Sequence, residues 1–290
     1  MSRGPTGPTG PTGLAGLAEP TGLAGALVLD LLGGRRAGVA TAAPHPPGPL
    51  LGIWAHPDDE TYLSGALMAV AAGLGARVVC LTATRGERGG PVPPGSPPGT
   101  TLGRLRVAEL AEALDVLGVR EQVLLGLPDG GCAEIPPAGP VHRIAEVIRA
   151  VSPAAVVTFG PDGFTGHPDH RAVSAWATAA FEQAAPAGAR LLYAAATADR
   201  AAESRDVEEI LGVRMNEGAD AGEEDSPVVA EEALAARLRP TGALLERKIA
   251  ALRAHSSQTA GALAALGPDR YAAWAAEEAF VDYRTPRPPG

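Results

Sequence analysis

The sequence predicts an α/β fold: a Rossmann-like, mostly parallel sheet with helices on both faces. Two observations predict it. Five short apolar runs, at residues 50–55, 77–82, 122–125, 154–159 and 190–194, alternate with helix-like segments at 61–74, 102–117, 141–151 and 169–184. Such alternation builds a parallel sheet covered on both sides. In addition, clusters crowded with His and Asp follow the first and fourth apolar runs, and the C-terminal ends of strands are where open α/β sheets place their ligands.

Taken in order, residues 4–18 repeat Gly-Pro-Thr and then Gly-Leu-Ala. The period is that of collagen, but it is too short for a triple helix, so a disordered segment with polyproline leaning is expected. Residues 22–35 are apolar enough for a short helix, and the Pro-rich stretch 43–49 leads into the first strand. The sequence therefore divides into a disordered or loosely ordered segment, 1–48, and a single domain, 49–290. In 102–117 the leucines Leu105, Leu110, Leu114 and Leu117 recur at helical spacing and Gly118 supplies the stop. Residues 91–101 form a Pro-rich loop near the active edge. Residues 216–232 form an acidic insertion, with Glu217, Asp220, Glu223, Glu224 and Asp225, read as either a solvated loop or a lid. A helix is expected over 244–254, carrying Lys248 and ending at His255.

Composition narrows the function. The net charge of −9 argues against a nucleic-acid partner, whose phosphates call for clustered Lys and Arg. Two cysteines, Cys80 and Cys132, make neither a disulfide framework nor a Cys-type zinc cluster. No apolar run reaches the roughly 18 residues of a membrane span, and no apolar h-region follows the N-terminus, so a cytoplasmic protein is expected. No Gly-x-Gly-x-x-Gly follows the first strand, so no dinucleotide is indicated. A homo-oligomer is compatible with the sequence.

The chemistry is concentrated in two stretches. The first is His56-Pro57-Asp58-Asp59-Glu60, where one imidazole and three carboxylates sit at a strand-to-helix junction. His56 and Asp59, three apart, can converge on one ion, and both are good zinc ligands. Asp58 is then free to act on a metal-bound water. The second stretch, Gly166-His167-Pro168-Asp169-His170, repeats the layout after the fourth strand. Each alone also reads as a well-capped helix N-terminus, since Pro suits the first turn and Asp complements the dipole. Together they hold three of the six histidines, and the pair predicts a metal site.

These two stretches resemble the signature motifs of the PIG-L/LmbE-type zinc-dependent N-deacetylases. Further matches follow in the family's order: Thr84-x-Gly86-Glu87-x-Gly89, Arg106-x-x-Glu109, Leu117-Gly118-Val119, and Lys248 with His255-x-Ser257-Gln258. The resemblance covers about residues 50–283. It implies that His56, Asp59 and His170 hold one Zn2+ per chain, or another divalent metal. It also implies that Asp58 is the general base, that protonated His167 stabilises the oxyanion, and that Asp169 orients a histidine. Glu87 and Arg106 resemble substrate-contacting positions, each with a surface ion pair or helix-face charge as its rival reading. Asp129 could line the pocket or merely turn the chain, and His255 could reach the site or cap its own helix. Relatives acting on sugar–inositol substrates can carry Tyr two residues before the first His of the second motif; here that residue is Thr165, so no Tyr contribution is carried over.

The implied activity is removal of the N-acetyl group from an N-acetylglucosamine-type sugar or its conjugate, a small-molecule partner. Rival readings are an amidase for a larger N-acyl group of a thiol conjugate or antibiotic, and a catalytically silent metal-binding protein on the same fold. Asp58, which metal binding does not require, argues against the silent protein.

Overall fold

A computed structural model describes residues 23–33, 47–212 and 228–285. Of the segment 1–48 expected to be disordered or loosely ordered, residues 1–22 and 34–46 lie outside those residues, as does most of the acidic insertion. Among the described residues one sheet of seven strands runs in the order β3-β2-β1-β4-β5-β7-β6. Strands β1 (Leu50–Trp54), β2 (Val78–Thr84), β3 (Glu121–Leu127), β4 (Ala155–Phe159) and β5 (Arg190–Ala194) are parallel. They coincide with the five apolar runs. β1, β2 and β4 are buried along their whole length, as expected of strands covered on both faces.

The helices between them are α2 (Asp59–Gly73), α3 (Leu102–Leu117), α4 (Ala138–Val151) and α5 (Pro168–Ala184). Gly118 ends α3 in the left-handed conformation at φ 81°, the glycine stop that the sequence predicts. Beyond β5 the pattern changes. After α6 (Ala198–Leu211) come β6 (Ala236–Leu238), α7 (Gly242–Ala254), α8 (Ser256–Leu266), α9 (Pro268–Ala276) and β7 (Glu278–Asp282). β7 pairs antiparallel with both β5 and β6, so the sheet is mixed at this edge.

Ahead of β1, α1 (Leu23–Leu31) lies in the segment expected to be loosely ordered. Its residues Val28 and Leu31, with Leu32 behind them, are buried in the main core, and Gly48 N donates to Leu32 O at 3.0 Å.

The C-terminal part is tied to α2 through a buried ion pair. Lys248 Nζ lies 2.8 Å from Glu278 Oε1, both side chains wholly inaccessible. Glu278 also accepts from the amides of Ala66 and Leu67, and Lys248 donates to Tyr62 O. A buried pair of this kind is tolerated only when its remaining hydrogen-bonding capacity is used, and here α2 supplies the partners.

β1 and β4 are neighbours, and the chain leaves them toward opposite halves of the sheet. Their carboxyl ends therefore flank the topological switch point, the crevice where such sheets bind ligands. His56 follows β1, and the His167–His170 stretch follows β4.

Candidate metal and catalytic site

His56 sits with its two ring nitrogens in different surroundings. Nε2 lies 3.1 Å from Asp129 Oδ1 and 3.2 Å from Asp169 Oδ2. Asp169 is itself held by the amides of Gly130 at 2.7 Å and Cys132 at 2.9 Å, and Asp129 accepts from Arg88 N at 2.6 Å. Two fixed carboxylates thus place the proton on Nε2, leaving the Nδ1 lone pair to face the other way.

On that side Nδ1 stands 3.1 Å from His170 Nε2 and 3.6 Å from Asp59 Oδ2, while Asp59 Oδ1 is 3.4 Å from His170 Nε2. His170 Nδ1 has Gly163 O as acceptor at 3.0 Å and Thr165 Oγ1 at 3.2 Å. Donating to Gly163 O places the His170 proton on Nδ1 and leaves its Nε2 lone pair in the cluster. His170 is fixed from behind by stacking on Phe159, centroids 4.1 Å apart.

Three donor atoms facing each other at these distances call for a metal ion or a shared proton between them. Ligands about 2.0–2.2 Å from a tetrahedral zinc stand roughly 3.4 Å from one another, so the donor set fits. His56, His167 and His170, and separately His56, Asp129 and Asp169, also bring donor atoms within 4.8 Å of one another. The oxygens of Asp129 and Asp169 are engaged by amides and by His56 Nε2, which makes the Nδ1 side the better metal-binding face.

The protonation states agree. Burial and the neighbouring imidazoles hold the His170 pKa well below its ordinary value, keeping the ring neutral as a ligand must be. Burial by itself would lower the pKa of His56, but Asp129 and Asp169 raise it to about 10. Without a metal a proton thus occupies His56, and metal binding must displace it.

Asp58 precedes α2 with φ 120°, a left-handed backbone that a non-glycine residue adopts only under constraint. Its Oδ2 lies 3.1 Å from Arg106 Nη2. Arg106 is buried, and it also donates to Pro57 O at 2.6 Å and Gly86 O at 3.0 Å. A β-carbon on Gly86, where φ is 63°, would fall 2.3 Å from the guanidinium, so only glycine admits this approach. Burial raises the Asp58 pKa, partly offset by Arg106, to about 6. Arg106 is therefore neither a surface ion pair nor a helix-face charge.

His167 caps α5: its Nδ1 accepts from Asp169 N at 3.1 Å, with Pro168 in the first turn. Its ring centroid is 4.9 Å from that of His56 and 5.0 Å from that of His170. With Nδ1 accepting, the proton lies on Nε2. Burial and the His56 charge lower its pKa, which without a metal favours the neutral ring with its proton on Nε2.

The remaining expected residues separate. Glu87 is exposed and accepts from Asp129 N at 3.1 Å. Asp129 stands against His56. His255 is wholly buried, with Nε2 2.9 Å from Glu60 Oε1. Glu60 and Glu109 are the residues at this site to which sequence reasoning gave no role. Glu60 stood in plain view in the first motif, and Glu109 in the Arg106-x-x-Glu109 match.

Comparison with known proteins adds an independent line. The family described as PIG-L, GlcNAc-PI de-N-acetylase, matches residues 51–181. A "1D-myo-inositol 2-acetamido-2-deoxy-alpha-D-glucopyranoside deacetylase" from Kineococcus radiotolerans is 36% identical over 250 residues, covering 73% of this chain and 69% of that protein. A protein of the same name from Thermobifida fusca is 35% identical over 243 residues, covering 73% and 83%. Among solved structures, the conserved protein TT1542 from Thermus thermophilus superposes with a TM-score of 0.53 at 25% identity, covering 83% of this chain and 96% of that one.

Proposed function

The chain belongs to the PIG-L family of N-deacetylases and is a hydrolase of acetamides; from that premise we propose that it deacetylates a small N-acetylglucosamine–inositol conjugate with one zinc ion held by His56, Asp59 and His170. The observation that carries the metal assignment is the convergence of His56 Nδ1, His170 Nε2 and the Asp59 carboxylate within 3.1–3.6 Å. Zinc bound there supplies a Lewis acid for the amide carbonyl and brings the pKa of a coordinated water to about 7.

The other steps belong to side chains. Asp58, with a pKa of about 6, is ionised at neutral pH and accepts the water proton as the nucleophile attacks. His167 donates from Nε2 to the carbonyl oxygen as negative charge develops, which lowers the barrier to the tetrahedral state. Protonated Asp58 then returns the proton to the departing amine, since an amide anion cannot leave unassisted. Asp129 and Asp169 orient His56 through Nε2. Glu87, exposed beside Asp129, is the substrate-contacting residue in this reading; Arg106 acts through Asp58 and does not contact the sugar.

No helix among the described residues is long and apolar enough to cross a membrane, which suits a small polar substrate. The test is direct. Zinc-loaded protein is incubated with N-acetylglucosaminyl-inositol, free N-acetylglucosamine and an N-acyl thiol conjugate, and free amine and acetate are quantified. The proposal expects stoichiometric amine and acetate, fastest from the inositol conjugate. Turnover only of the larger acyl amide would reverse the substrate assignment.

A further inference from the structure

Asp58 is the residue on which the chemistry turns, and it is also one of three non-glycine residues with positive φ among those described. A backbone in that region persists only where its surroundings over-determine it. Arg106 grips the Asp58 carboxylate and the Pro57 carbonyl, which is the oxygen end of the planar peptide whose N–H belongs to Asp58; the nitrogen end is held separately. That amide donates to Glu60 Oε2 at 2.9 Å. Glu60 is inaccessible to solvent, and its other oxygen accepts from Thr61 Oγ1 and faces His255 Nε2 at 2.9 Å.

His255 reaches this position from the junction of α7 and α8, 195 residues along the chain from Glu60. The junction is anchored in turn. Glu109 on α3 accepts from Ser256 Oγ at 2.9 Å, Ser257 N at 2.8 Å and Ser257 Oγ at 2.6 Å. Arg106 and Glu109 lie one helical turn apart and therefore on the same face of α3. One arm holds the Asp58 carboxylate. The other holds the segment that carries His255, which holds Glu60, which holds the Asp58 amide. The loop is thus closed on both sides of the strained residue from a single helix.

We propose that Glu60 and His255 are positioning residues for Asp58, holding its backbone in the left-handed conformation that aims the carboxylate at the nucleophilic water. The inference rests on the reading of Asp58 as general base. Neither residue contacts substrate, and neither is asked to move a proton. What the device requires of residue 60 is an acceptor at the right reach; its charge serves the contact with His255 and is the last of the causes that push the Asp58 pKa up.

Two substitutions separate reach from charge. Glu60→Asp keeps the charge but is one methylene too short to span both Asp58 N and His255. Glu60→Gln loses the charge but keeps an oxygen for Asp58 N, and its amide N–H can donate to His255 in the alternative tautomer. The measurements are kcat, KM, bound zinc and melting temperature for both variants, alone and combined with Asp58→Asn. Glu60→Asp is expected to lose on the order of 10–100-fold in kcat, the scale of a small misplacement of a reacting group, with KM and zinc stoichiometry retained. Glu60→Gln is expected to keep most of the wild-type kcat. In the Asp58→Asn background Glu60→Asp should cause no further loss.

The opposite order, Gln impaired and Asp active, overturns the inference in favour of a charge role. Zinc lost in proportion to activity overturns it in favour of support for the metal. Losses that multiply in the double variant overturn the action through Asp58. Near wild-type kcat in Asp58→Asn alone would instead remove the general-base reading on which the inference stands.

Discussion

Replacing Arg106 by Gln should move the acidic limb of the activity profile to higher pH. In the native protein burial pushes the Asp58 pKa up and Arg106 pulls it back, to about 6. With Asp58 as the proposed base, the competent form is the ionised one, so activity should be present above that pH and be lost as pH falls through it. An adjacent opposite charge lowers a carboxylate pKa by roughly 1–3, so losing it should raise Asp58 by a similar amount. A rise of about 2 would take the ionised fraction at pH 7 from about nine-tenths to about one-tenth, near a tenfold loss of rate. The loss should shrink toward pH 9, where Asp58 ionises again. Arg106 also satisfies Pro57 O and Gly86 O, and breaking a buried pair can cost about 3–5 kcal/mol of stability, so the variant is measured well below its melting temperature. The assay is kcat/KM for amine release between pH 5 and 9.5. An Arg106→Gln enzyme whose limb stays near pH 6, with one factor of loss at every pH, would refute the electrostatic part of the reasoning.

Other outcomes follow from the same geometry. Asp169→Asn, which weakens the grip on His56 Nε2, should lower zinc affinity by about 10–100-fold; competition with a chromophoric chelator measures it, and unchanged affinity would count against that role. Zinc affinity should also fall as pH is lowered from 8 to 6, because the metal displaces a proton from His56, whose pKa without metal is about 10; pH-independent binding would place the metal elsewhere. Leu32→Ala should cost about 2–4 kcal/mol in urea unfolding because Leu32 is buried in the main core; a neutral result would mean that α1 does not contribute to the stability of the domain.

What the sequence discloses is what local pattern can encode. Leu50–Trp54 reads as a fully buried strand because all five residues are apolar or Gly and all five are buried. His56 and Asp59 read as a pair because three residues at a helix start bring them within reach of each other. β7 is hidden by its first residue: Glu278 looks like a solvated end, but its carboxylate is spent on two amides of α2 and on Lys248. β6 has three residues, too few to show a period. α8 is Ala-rich, with little periodic contrast, and α9 has only nine residues. The same distinction governs the site. Arg106 was legible as part of a motif, but its hold on Asp58 spans 48 positions, and the contact between His255 and Glu60 spans 195. Only tertiary structure shows that these residues turn inward, Arg106 to Asp58 and His255 to Glu60.

The central claim is a division of labour between adjacent carboxylates, Asp59 on the metal and Asp58 on the water. It is tested most directly by measuring bound zinc and kcat on Asp58→Asn, which preserves size and polarity but cannot accept the proton. The account predicts stoichiometric zinc, an unchanged KM and a loss on the order of 10²–10⁴-fold in kcat. An Asp58→Asn protein that is metal-free, or that releases amine at near the wild-type rate, would contradict it.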